Sequence, residues 1–172
     1  RIVMRKSIVV LFICCLLAID ACKVNYSFTG AAIAPDVKTI SIQTFPNYAP
    51  LVQPTLSQAF TEALKDKFQS QTNLQLISRG GDLTFEGSIT GYSISPISIQ
   101  SGTDVAAQTR LTISVSVKFT NQKNEKQNFE ASFSRFSDFE STKSLATEEP
   151  RLIKEINDQL VQDIFNKAVV NW

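Results

Sequence analysis

The sequence predicts an α+β fold: a two-layer sandwich with two amphipathic helices on one face of a mainly antiparallel four-stranded sheet. Three observations lead there. Period-two alternation runs through residues 83–99, 111–119 and 129–135. Apolar stripes at three- and four-residue steps run from Leu56 to Phe68 and from Leu152 to Val169. The order strand, helix, meander, helix places both helices on the same sheet.

The first strand is Val37 to Phe45, with Ile40 and Ile42 on one side and Val37, Thr39, Ser41 and Gln43 on the other. Pro46-Asn47-Tyr48-Ala49-Pro50 breaks it. Thr55-Leu56-Ser57-Gln58 has capping-box spacing. Leu56, Ala59, Phe60, Ala63, Leu64 and Phe68 then form the stripe of a helix of about four turns ending near Ser70. The opposite face carries Glu62, Lys65 and Asp66, not the basic band of a membrane-surface helix. Leu74 to Ser78 is a candidate short strand, and Arg79-Gly80-Gly81-Asp82 is a turn. That turn lacks the lysine-serine ending and glycine spacing of phosphate loops.

Leu83, Phe85, Gly87, Ile89, Gly91, Ser93, Ser95, Ile97 and Ile99 share one parity, and Thr84, Glu86, Ser88, Thr90 and Tyr92 the other. Gly87 and Gly91 on the apolar side mark a close approach or a bulge. Pro96 ends the regular part or bends the edge. Leu111, Ile113, Val115, Val117 and Phe119 alternate with Thr112, Ser114, Ser116 and Lys118, the clearest strand in the chain. Asn121 to Lys126 is a polar hairpin loop, and Phe129 to Arg135 is its partner strand. Arg135 falls on the apolar parity near the strand end, from which it reaches solvent. Thr147 is the expected N-cap of the second helix, with Glu148 and Glu149 in the first turn. Its stripe is Leu152, Ile153, Ile156, Leu160, Ile164, Phe165, Ala168 and Val169, with Trp172 in phase. The sheet face away from the helices is rich in Ser and Thr, suited to water or a wide polar cavity.

Composition narrows the function. The 172 residues contain no histidine, which removes Ser-His-Asp and Cys-His catalysis and His-based zinc sites. Seventeen basic against sixteen acidic residues leave no basic stripe for nucleic acid. The acids Asp82, Glu86, Asp104, Glu130, Asp138 and Glu140 are dispersed, with no sign of a converging carboxylate pair.

Residues 1–21 read as a lipoprotein signal peptide: Arg5 and Lys6, an apolar run from Ile8 to Ile19, then Asp20-Ala21-Cys22. Met4 is the expected translation start. Cys14, Cys15 and Cys22 are the three cysteines, so no disulfide forms beyond Cys22. Ile19-Asp20-Ala21-Cys22 resembles a bacterial lipobox, with Asp20 a departure from the usual uncharged residue. Cleavage is expected between Ala21 and Cys22, with diacylglycerol on the thiol and an acyl group on the new amine. Two or more chains are enough for stable anchoring. Residues 22–36 are an extended lead-in, and 37–172 a single domain.

Tyr26-Ser27-Phe28-Thr29-Gly30-Ala31, Lys38-Thr39-Ile40, Phe45-Pro46-Asn47, Gly81 to Gly87, Arg110 to Val115 and Asp163 to Ala168 together resemble the LptE-type lipopolysaccharide-assembly lipoproteins. The resemblance spans nearly the whole chain after Cys22. It implies a non-enzymatic protein without cofactors, anchored by lipid in the outer membrane. It also implies that such a protein plugs an LptD-type β-barrel, helps it assemble, and assists insertion of lipopolysaccharide into the outer leaflet. Lipopolysaccharide contact by basic residues follows from the resemblance. No motif carries those positions over, so Arg110, Lys118, Lys123 and Lys126 are chosen on charge and strand parity. Tyr26 to Gly30 would position the domain below the anchor or touch the barrel. A free periplasmic lipoprotein holding an amphiphile between helices and sheet is the alternative; a lipoprotein hydrolase would need a carboxylate pair in a deep pocket.

Overall fold

The computed structural model describes residues 33–51, 53–101 and 104–169, with only the backbone of 98–101 and 104–106. β1 (Thr39–Ile42) leads to α1 (Leu56–Gln71), β2 (Gln75–Leu76), β3 (Leu83–Ser101), β4 (Asp104–Asn121), β5 (Phe129–Glu140) and α2 (Leu145–Val169). The strands form one sheet in the order β2-β1-β3-β4-β5.

The sheet has five strands, not four, and its short β1 and β2 make it mixed, while its three long strands are antiparallel as expected. β1 runs parallel to both β2 and β3, while β3, β4 and β5 form the antiparallel meander. Parallel pairing follows from α1, which carries the chain back so that β2 starts alongside β1. β2 is two residues long, too short to show a period. The Gln75 N–H donates to Lys38 O at 2.9 Å and the Ile77 N–H to Ile40 O at 2.8 Å, fixing it at the edge.

β3 departs from a single parity. The register slips between Ile89 and Gly91, so Thr90 is a bulge residue. Every side chain beyond it changes face. Tyr92 is therefore 5% exposed on the helix side instead of lying on the polar side. The strand then runs through Pro96 to Ser101. There β1 no longer pairs with β3, and an edge position tolerates proline. Gly87 is an approach site: a Cβ would lie 2.6 Å from Phe45 Cε1 and 2.0 Å from Ser116 O. β4 begins at Asp104, earlier than Leu111, and β5 continues past Arg135 to Glu140.

Both helix stripes pack on this sheet. Leu56, Phe60, Leu64 and Phe68 of α1 are buried, as are all eight expected residues of α2. Ala59 is exposed and Thr61 is buried in its place. The Thr61 hydroxyl donates to Ser57 O at 2.7 Å and accepts the Phe45 N–H at 3.1 Å. Phe68 joins the layers, with its ring centroid 4.9 Å from Phe85 and 5.1 Å from Phe165. Phe85 in turn lies 4.8 Å from Phe119.

Neither helix start follows the expected cap. Thr55 has helical dihedrals and makes no side-chain cap. Gln53 Oε1 instead accepts the Thr55 N–H at 2.7 Å and its hydroxyl at 2.9 Å. α2 starts before Thr147, with Ser144 O accepting the N–H groups of Thr147 and Glu148.

The turn at 79–82 holds β1 to the meander. Gly80 supplies its left-handed residue at φ 71°. Asp82 Oδ2 accepts the Lys38 N–H at 2.9 Å, the Thr39 N–H at 3.0 Å and the Thr39 hydroxyl at 3.0 Å. The Asp82 N–H donates to Thr39 Oγ1 at 2.9 Å. The Lys38 and Thr39 N–H groups hold the Asp82 carboxyl well below the usual carboxylate range.

Phe68→Ala is expected to cost about 3–5 kcal/mol by urea unfolding, since it removes the ring shared by both helices and the sheet. Asp82→Asn is expected to cost about 2 kcal/mol at neutral pH, as hydrogen bonds to a charge are weakened. The folded pKa of Asp82 is depressed. Its contribution is therefore complete above the ordinary pKa of about 4 and is lost as pH falls below it. Urea midpoints across that range should fall less steeply in Asp82→Asn than in the parent.

Candidate functional site: the open face of the sheet

Register determines what the uncovered face presents. Across β3, β4 and β5 the rows read Glu86–Lys118–Glu130, Ser88–Ser116–Ser132, Gly91–Ser114–Ser134, Ser93–Thr112–Phe136 and Ser95–Arg110–Asp138. The centre is a carpet of small hydroxyls, with Ser114 Oγ and Ser134 Oγ 2.9 Å apart. Such a face binds water readily and offers many weak donors and acceptors.

A compact cluster closes its outer end. Arg110 Nε donates to Asp138 Oδ1 at 2.7 Å and its Nη2 to Asp138 Oδ2 at 2.8 Å. The guanidinium carbon lies 3.5 Å from the Phe136 ring centroid. Phe136 remains 45% exposed, among the few large apolar side chains so displayed. The Arg110 hydrogen bond lowers the Asp138 carboxyl pKa, and the same bond raises that of Arg110.

The four predicted contact residues do not converge. Arg110 and Lys118 lie on the same face of β4, eight residues and about 27 Å apart at strand rise. Lys118 Nζ is 4.0 Å from Glu86 Oε2, with both side chains exposed. Lys123 Nζ is 3.2 Å from Asp82 Oδ1, so it completes the turn that holds β1. Lys126 is exposed on the short 3₁₀ turn Glu125–Gln127. Lys118, Lys123 and Lys126 thus belong to one end of the sheet and Arg110 to the other. Ala21 and Cys22 lie outside the described residues, as do Tyr26 to Gly30 and Trp172.

Arg135 is held by a partner instead of simply reaching solvent. Its Nε donates to Asp163 Oδ2 of α2 at 2.5 Å and its Nη2 to Oδ1 at 2.9 Å. Phe136 and the Arg110–Asp138 pairing went unread in the sequence. The parity Ser132, Ser134, Phe136, Asp138 continues past Arg135 and contains the signal. Among the described residues, no group of three or more acids or cysteines is placed to hold a metal ion.

The chain's entry to the domain is also defined. Ile33, Ala34 and Val37 border Leu83, Asn121, Gln127, Ala168 and Val169 around a cleft of about 10 Å³. That is room for one water at most. The chain therefore enters beside the β4–β5 loop and the end of α2, the end of the sheet opposite Arg110.

Comparison with known proteins adds the family. The model of the LptE lipopolysaccharide-assembly family matches residues 37–168. No curated protein sequence matches the chain. Among solved structures, a putative neuraminyllactose-binding hemagglutinin homologue from Helicobacter pylori shares 10% identity, with a TM-score of 0.51 over 83% of this chain and 91% of that one. A minor lipoprotein from Acinetobacter baumannii shares 14% identity, with a TM-score of 0.50 over 76% of this chain and 91% of that one. The rare lipoprotein B of Shewanella oneidensis shares 16% identity, with a TM-score of 0.44 over 75% of this chain and 92% of that one. At these identities the likenesses to the Helicobacter and Acinetobacter structures concern the fold. The family match covers most of the chain, and the chain belongs to the LptE family. Its role lies in lipopolysaccharide assembly, and the family is neither enzymatic nor cofactor-dependent.

Asp138→Asn is expected to release Arg110 from its fixed pose without unfolding the domain, because the pair is partly solvated. The Arg110 Nε–H signal in an NMR spectrum should broaden or exchange faster, with the thermal midpoint nearly unchanged.

Proposed function

We propose that this chain is an outer-membrane lipoprotein whose domain occupies the lumen of an LptD-type β-barrel. There it helps the barrel assemble and assists lipopolysaccharide insertion. In this reading residues 1–21 are the signal peptide, Cys22 carries diacylglycerol and an N-acyl group, and 22–36 tether the domain that begins at residue 37.

The observation that carries the reading is the uncovered Ser/Thr face. A sheet whose apolar side is sealed by two helices has no fold-stabilising need for a second cover. A broad, nearly uncharged hydroxyl surface suits a hydrated barrel interior. The point of chain entry supports an axial arrangement. With the anchor end at the β4–β5 loop, the Arg110 end points away from the anchored leaflet. Lys118, Lys123 and Lys126 would then meet lipopolysaccharide phosphates on one side of the path and Arg110 on the other.

The amphiphile-carrier alternative requires space between helices and sheet. Phe60, Phe68, Phe85 and Phe119 fill that layer, each at most 1% exposed. The entry cleft of about 10 Å³ is far below the size of an acyl chain.

The test is extraction of the tagged, full-length protein from its own envelope in mild detergent. A large β-barrel should copurify at near-equal stoichiometry and be lost on Cys22→Ala. A bound lipid with no barrel would reject the reading. Within the complex, Lys126→Glu should reduce crosslinking to lipopolysaccharide while leaving the fold intact. Lys123→Glu should reduce it and also destabilise the domain through Asp82.

A further inference from the structure

The sheet has two long free edges, and they are built differently. β5 is the outer strand on one side and carries Glu130, Arg135, Asp138 and Glu140 along twelve residues. Charges of that kind guard an edge against added strands. On the other side β1 pairs with β3 only from Leu83 to Phe85. A single parallel bridge, Asn47 with Ile89, follows, and the chain then turns away at Pro50. Among the described residues, no backbone group pairs with that side of β3 beyond Ile89. From Gly87 to Thr103 there is no charged residue.

The surroundings of this edge are apolar. Tyr48, whose N–H donates to Ile89 O at 2.9 Å, is 73% exposed at the inner end of the free stretch. Leu51 is 53% exposed three residues on, and Ile94 is 37% exposed on β3 itself. The loop that carries Tyr48 is held in place. Asn47 Oδ1 accepts the Ala49 N–H at 3.0 Å, and Asn47 Nδ2 donates to Gln53 O at 3.3 Å.

We propose that the free edge of β3, over Gly91 to Ile97, is a strand-addition site for an extended, uncharged segment of a protein partner. Main-chain hydrogen bonds would supply the affinity, and Tyr48, Leu51 and Ile94 the apolar contacts. A second copy fits poorly. Pairing about a two-fold axis would bring the Thr90 bulge and Pro96 into the ladder twice. The closed wall of a barrel has no free edge to offer, so the added strand comes from outside such a wall. The inference therefore stands apart from the barrel reading.

Amide hydrogen exchange on the full-length lipidated protein tests it, first purified alone in detergent and then in the complex extracted from its envelope. Alternate amides over Gly91 to Ile97 should exchange about tenfold or more slowly in the complex, with the β5 edge unchanged. Ile94→Lys combined with Tyr48→Ser should abolish that slowing without moving the thermal midpoint. Equal exchange in both states, or protection without alternation, overturns the proposal. So does protection already present in the isolated chain, the result expected if its own residues 23–32 or a second copy cover the edge. A barrel that copurifies while the edge stays open defeats this inference alone. An edge protected by a non-barrel protein supports it and defeats the barrel reading.

Discussion

Everything in this domain depends on one sheet being sealed on a single side. β4 sets the pattern: Leu111, Ile113, Val115 and Val117 are fully buried, while Thr112, Ser114 and Ser116 alternate with them on the open face. Because the side-chain period is two, a one-residue slip of β4 would turn these four residues and Phe119 to the open face. That penalty fixes the register of β3 and β5, which flank it. It also fixes where the helices go, since α1 and α2 are the only described elements with stripes wide enough to cover the apolar face.

The aromatic chain through the core ties this cover down. Phe68 touches both Phe85 on the sheet and Phe165 on α2, and Phe119 continues the contact to Phe129. Phe45 packs on Phe60 and over the bare backbone of Gly87. Among the described residues, these rings fill the layer between the helices and the sheet.

Long periodic segments were legible because their signal is repeated many times. The β4 alternation and the α2 stripe each rest on several residues, and all of the described ones lie where the pattern puts them. Features set by one residue were legible only in part: Gly87 and Gly91 pointed to a close approach or a bulge, but not to which face the residues beyond it would take. A bulge at Thr90 leaves the local sequence strand-like yet reverses Tyr92, whose hydroxyl then donates to Glu149 on α2. Thr55 had the right spacing for a cap, but Gln53, two residues earlier, satisfied those donors first. Charge and parity picked out Arg110 and Lys118, and the register puts both on the open face of the sheet. Those two signals could not reveal that Asp138 and Asp82 hold Arg110 and Lys123, because those pairings depend on register and on a turn.

Charge pairing is what makes the functional surface neutral at close range as well as in total. Arg110 and Lys118 each face a carboxylate across strands, Lys123 faces one in the 79–82 turn, and Arg135 faces Asp163 on α2. On α2, Arg151 and Lys154 are matched one turn away by Glu148, Glu155 and Asp158. Opposite charges this close cancel within a few ångströms, so little potential survives to draw an anionic ligand from afar. A phosphate that binds Arg110, Lys118 or Lys123 must compete with a carboxylate already in place, which makes such contacts local and geometry-dependent. A surface of this kind selects by shape and by hydroxyl and main-chain hydrogen bonds. Those are the interactions offered by the Ser/Thr face and by the uncharged edge of β3.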